Sequence, residues 1–79
     1  MFSVGLIGYG YWGPNLARNF NANPDVSLIR IADLDKNRRN EAQRFNPKSE
    51  ITADAKTIIE GKDIDISVEE DITEAQDEL

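Results

Sequence analysis

The chain has 79 residues, 39% hydrophobic and 30% charged, with nine Lys and Arg against fifteen Asp and Glu and a net charge of −6. That is one small domain with a thin core, and the acidic balance argues against a nucleic-acid backbone or an anionic membrane as the main partner. With no Cys and no His, disulfides, thiolate nucleophiles, Ser-His triads and Cys- or His-ligated metals are excluded, and a cytoplasmic setting fits, with no apolar run of about 18 residues to span a membrane and no signal peptide.

In chain order, Phe2 to Ile7 reads as a short buried strand that stops at Gly8. Pro14 suits the first turn of a helix, where its missing N–H is no loss. Leu16, Ala17 and Phe20 fall on one face of that helix, and Asn21, Asn23 and Pro24 end it. Val26 to Ala32 is a second strand, rich in β-branched residues, that stops at Asp33. Asp35 caps a second helix, with Ala42 and Phe45 toward the core and Pro47 beyond its end. Ile51 and Thr52 make a stub of strand. Asp54 caps a third helix, with Ala55, Ile58 and Ile59 inward and Gly61 at its stop. Ile64, Ile66 and Val68 alternate with Asp65, Ser67 and Glu69, a period of two that leaves one face wet, as at a sheet edge.

The order β-α-β-α-β-α-β predicts an α/β fold, a partial Rossmann-type doubly wound parallel sheet over residues 1–68. Residues 69–79 form an acidic tail. Asp71 and Glu74 stand at capping-box spacing, and Asp71 to Leu79 could form a short helix. The charge is uneven. Residues 1–59 carry eight basic and six acidic side chains, whereas residues 60–79 carry only Lys62 against nine acids. The run Glu69-Glu70-Asp71 reads as solvated charge rather than an acid–base pair, which would need one buried member.

The strongest signal is Gly8-Tyr9-Gly10-Tyr11-Trp12-Gly13, a G-x-G-x-x-G directly after a predicted strand and at the start of a predicted helix. Asp33, at the end of the next strand, lies twenty residues past Gly13. Together these make the dinucleotide-binding fingerprint. Gly8 turns the chain out of the strand, Gly10 lets a pyrophosphate approach the backbone, and Gly13 lets the helix pack on the sheet. Free amides at the helix start, with the positive end of its dipole, would hold the phosphates. No G-K-[ST] ending is present, so the loop is not a P-loop. Asp33 would accept hydrogen bonds from the adenosine ribose and repel a 2′-phosphate, which favours NAD over NADP. Arg38 and Arg39 lie just beyond, and a guanidinium there could stack on adenine or pair with a phosphate. Tyr9, Tyr11 and Trp12 could flank a nucleotide or pack on neighbouring elements. Arg18, Arg30 and Arg44 read as solvated or paired surface charges.

The runs VGLIGYGYWGPNLARNF, IRIADLDKNRR and ITADAKTIIEGKDID carry a resemblance, over about residues 2–66, to the N-terminal segment of the glucose–fructose oxidoreductase/inositol dehydrogenase (Gfo/Idh/MocA) family. That resemblance implies an NAD(P)-dependent dehydrogenase acting on a sugar, polyol or nucleotide sugar. Matched position by position, Gly8, Gly10 and Gly13 with the Tyr11 and Trp12 amides fall on its pyrophosphate loop, Asp33 on its ribose-binding acid and Arg38 on an arginine near the adenine. The resemblance stops after Ile64-Asp65. A fully apolar central strand and a Thr-Pro or Asn-Pro turn would follow in the family, and here the chain reads Ile66-Ser67-Val68-Glu69-Glu70-Asp71. The Glu-Lys-Pro motif with the catalytic lysine and the second, substrate-binding domain are absent. The expectation is a truncated dinucleotide-binding module, incomplete for catalysis alone. The alternative is a non-catalytic scaffold or minimal Rossmann unit that self-associates, for instance as a homodimer.

Overall fold

Seven elements follow one another in the computed structural model of the chain, which describes residues 1–70. They are β1 (Phe2–Ile7), α1 (Gly13–Ala22), β2 (Val26–Ala32), α2 (Lys36–Phe45), β3 (Glu50–Thr52), α3 (Lys56–Ile59) and β4 (Ile66–Glu69). The helix expected at 71–79 lies outside the described residues. All strand pairs are parallel, in the order β3-β2-β1-β4. This is the first part of the doubly wound order 3-2-1-4-5-6, so the predicted partial Rossmann-type sheet is the one observed.

The core forms where the apolar runs of β1 and β2 meet the helices. Val4 and Leu6 of β1 and Leu28 and Ile31 of β2 are buried with Ala17 of α1 and Ala42 of α2, and Leu16 and Phe20 pack against them from α1. α3 lies against β1 at Gly5, where an added Cβ would come within 2.5 Å of Ile58 Cγ2. Asp35 caps α2 as its position predicts, its side chain accepting from the Asn37 and Arg38 amides at 2.7 and 3.3 Å and relieving donors that a helix start leaves unpaired. Asp54 does not cap α3 as expected: the N-cap is Ala55, and Asp54, one residue earlier, accepts from the Lys56 amide at 2.9 Å across the turn that leads into the helix.

Two apolar helix residues expected in the core are outside it, as is Phe2 at the exposed start of β1. Phe45 is 61% exposed. The inward stripe of α2 runs through Ala42 and Asn46, four residues apart, and Phe45 falls to one side of it, its ring beneath the Arg44 guanidinium at 5.5 Å. Ile59 is 63% exposed, because α3 is a single turn of four residues and successive helical positions cannot face the same way. β4 is also shorter than the alternation suggested. It begins at Ile66, runs through Glu69 and, among the described residues, pairs only with β1. Among the described residues it is an edge strand: Ser67 and Glu69 are exposed as predicted, but Ile66, expected on the dry face, is 45% exposed as well, so the alternation fails there.

Arg30 ties this sheet together. Its guanidinium donates to Glu50 at 2.7 Å, to Asp63 at 2.7 and 3.2 Å and to the Thr57 carbonyl at 2.9 Å. One side chain of β2 thus joins β3, α3 and the turn before β4. The hydrogen bond from Arg30 holds the Asp63 carboxyl below the ordinary carboxylate value. A lowered folded-state pKa contributes stability above the unfolded value, near 4, and loses it as pH falls through the folded one. Asp63→Asn is therefore expected to lower the urea midpoint near neutral pH. The gap to the native chain should close as pH falls below the ordinary carboxylate range and the native carboxylate protonates. A gap that stays constant with pH would show that the ion pair contributes nothing through ionisation.

Candidate functional site

The carboxyl ends of β1 and β4 meet where the chain reverses its direction of travel across the sheet. Connections run from β1 outward to β3, then return past β1 to β4. Doubly wound sheets bind ligands in the crevice at such a switch point. Both loops that emerge there carry the residues of interest.

The glycine loop leaves β1 at Gly8, whose φ of +101° is open only to glycine without strain. The Gly8 amide donates to the Ala32 carbonyl at 2.7 Å, which holds the loop against the end of β2. Gly13 begins α1 so close to this turn that an added Cβ would lie 2.9 Å from the Gly8 carbonyl oxygen. Pro14 occupies the first turn, and no side chain caps the helix start at Trp12. Strand, turn and helix therefore aim loop amides into the crevice, as the spacing predicts.

Glu70 fills that crevice. Its Oε2 accepts from the Gly10 amide and its Oε1 from the Trp12 amide, each at 3.1 Å. Its own amide donates to the Ile7 carbonyl at 2.9 Å, which extends the β1–β4 pairing by one residue. Glu70 is only 7% exposed, so the reading of 69–71 as a solvated run fails at this position, while Glu69 is exposed. The signal that separates the two is phase. Glu70 continues the period of Val68, which packs against the core, and so turns toward the loop.

Asp33 stands across the loop. Its Oδ2 accepts from the Tyr9 amide at 2.7 Å and its Oδ1 from the Asp35 amide at 2.8 Å. Each carboxylate oxygen can accept a second hydrogen bond, so the residue can anchor the loop and still accept from a ligand hydroxyl. The Arg39 guanidinium donates to the carbonyls of Asp33 and Leu34, both at 2.9 Å. It fixes the backbone beside the acid, a role that the sequence did not separate from that of Arg38. Arg38 is half-buried on the first turn of α2.

The three aromatics divide. Tyr9 is buried, and its hydroxyl accepts from the Asn46 side chain at 3.2 Å. Packing is its role. Tyr11 and Trp12 are exposed, with their rings edge to face at 4.9 Å. Trp12 borders an open groove with Asn15, Leu16, Asn19, Glu69 and Glu70, between α1 and the end of β4. Among the described residues no cluster of three or more acidic side chains is placed to hold a metal ion, and no helix is long and apolar enough to cross a membrane.

No family model matches the chain, and no curated protein sequence matches it. Solved structures do. The chain is similar to a probable dehydrogenase from Thermotoga maritima, at 25% identity and a TM-score of 0.82 over 98% of this chain. It is also similar in fold to scyllo-inositol dehydrogenase from Lactobacillus casei, solved with NAD(H) and scyllo-inositol, at 18% identity and a TM-score of 0.77 over 90% of this chain. The chain spans 23% of the first and 21% of the second.

Proposed function

We propose that the chain is the N-terminal part of the NAD-binding domain of an oxidoreductase of the Gfo/Idh/MocA type, acting on a sugar, polyol or nucleotide sugar. The observation that carries this reading is the convergence of the Gly10 and Trp12 amides on one anionic group. Backbone amides at a glycine turn and helix start form a cradle that suits a pyrophosphate. The Gly8 turn and the bare Gly13 supply the close approach that such a ligand needs. Gly8, Gly10, Tyr11, Trp12 and Gly13 would hold the pyrophosphate through the backbone, Asp33 the adenosine ribose, and Arg38 would lie beside the adenine. A carboxylate at the ribose favours NAD over NADP.

When bound, the nicotinamide supplies hydride transfer. The residues of this chain supply binding and orientation, and we assign no catalytic group among them. Substrate binding and proton transfer belong, in this reading, to further chain of the kind the longer relatives contain.

Asp33→Asn tests the ribose assignment. The substitution keeps the shape and one acceptor oxygen but removes the charge. NAD affinity, followed by 15N–1H shifts during titration, is expected to fall about tenfold, the loss of one charge-assisted hydrogen bond. The preference for NAD over NADP should narrow with it. Equal NAD affinities for the two chains would remove Asp33 from the site.

A further inference from the structure

We infer that Glu70 is an internal occupant of the phosphate cradle, and that a dinucleotide enters only by displacing its carboxylate. The inference rests on the dinucleotide reading above and adds a competitor within the chain. Both carboxylate oxygens are spent on the cradle, one on each amide. The side chain also lies over the two glycines that leave the cradle open. Its Oε2 is 2.8 Å from where a Cβ on Gly13 would be, and its Cβ is 3.1 Å from where one on Gly8 would be. A phosphate oxygen at hydrogen-bond distance from the Gly10 amide would need the volume that Oε2 holds. Carboxylate and phosphate are alternative anions for the same pair of donors.

The occupant is tethered in a way that permits exchange. Its backbone is fixed by the Glu70 amide to the Ile7 carbonyl, and this bond survives rotation of the side chain. The groove bordered by Trp12, Asn15 and Asn19 opens beside the carboxylate. A diphosphate, with more charge and more acceptor oxygens than one carboxylate, is the class of ligand able to take its place. The residue after β4 thereby sets the affinity of the site.

The test uses the whole 79-residue chain and two variants, Glu70→Gln, which keeps the shape, and Glu70→Ala. Without ligand, the Gly10 and Trp12 amide resonances are expected to move in Glu70→Gln, because a carboxylate acceptor is lost. NAD and inorganic pyrophosphate should each bind both variants at least tenfold more tightly than the native chain. Unmoved amide resonances, or equal NAD affinity in all three chains, would overturn the inference, and the second result would leave the dinucleotide reading standing. Tighter pyrophosphate binding in the variants with no response to NAD in any chain would overturn the dinucleotide reading and keep Glu70 as a competitor for phosphate groups.

Discussion

Replacing Ile58 by alanine is expected to cost about 2–5 kcal/mol, the range for emptying a fully buried aliphatic site. Ile58 is 1% exposed and is the residue through which α3 meets the sheet. A domain of this size has roughly 4–12 kcal/mol in all, at 0.05–0.15 per residue, so the variant should be close to unfolding at 37 °C. The partner substitution, Gly5→Ala, places a methyl group 2.5 Å from Ile58 Cγ2 and 3.2 Å from Ile64 Cδ1. Alone it should cost about 1–3 kcal/mol through overpacking. Together the two should cost less than their sum, because alanine at 58 vacates the space the new methyl enters. Urea midpoints of the native chain, both single variants and the double variant measure that coupling. Strict additivity would mean that Gly5 is not bare for the sake of α3.

Gly13→Ala carries the second large effect, about 1–3 kcal/mol. Its new methyl would meet two neighbours of different kinds. Glu70 Oε2, at 2.8 Å, is the end of a flexible side chain and can move. The Gly8 carbonyl oxygen, at 2.9 Å, belongs to a turn whose φ is already +101° and cannot yield without opening the loop. Most of the cost should therefore persist when Glu70 is also alanine. Urea denaturation of Gly13→Ala in both backgrounds checks this. A cost that disappears with the Glu70 side chain would show that the carboxylate, and not the closeness of helix and strand, demands glycine here.

What could be read from the sequence was local. The β-branched run of β2, the one-sided stripe of α1, the Asp35 cap and the glycine spacing each specify geometry within a few residues, and each stands as expected. Phe45 and Ile59 were misplaced because an apolar residue beside an inward stripe looks like part of it until the sheet's position is known. Tyr9 could not be assigned between packing and ligand, since its partner Asn46 lies 37 residues away. Glu70 was hidden differently. Composition marks it as one acid in a solvated run, and only its phase with Val68 points it inward. Its hydrogen bonds span 58 and 60 residues, a range over which no local pattern speaks.

The position of β1 also sets an order of events. On one side its loop is tied to the end of β2, with Tyr9 and Asp33 only 24 residues apart. On the other side it waits for β4, which Ser3 meets through Asp65, 62 residues away. The entropic difference between closing these two loops is less than about 1 kcal/mol, but the difference in chain that must first exist is large. During vectorial synthesis the turn, α1 and β2 are complete while β4 is still unmade, and Glu70 arrives with β4. Because β4 is the last strand of the described sheet in chain order, the carboxylate that reaches the Gly10 and Trp12 amides belongs to the last part of that sheet to be made.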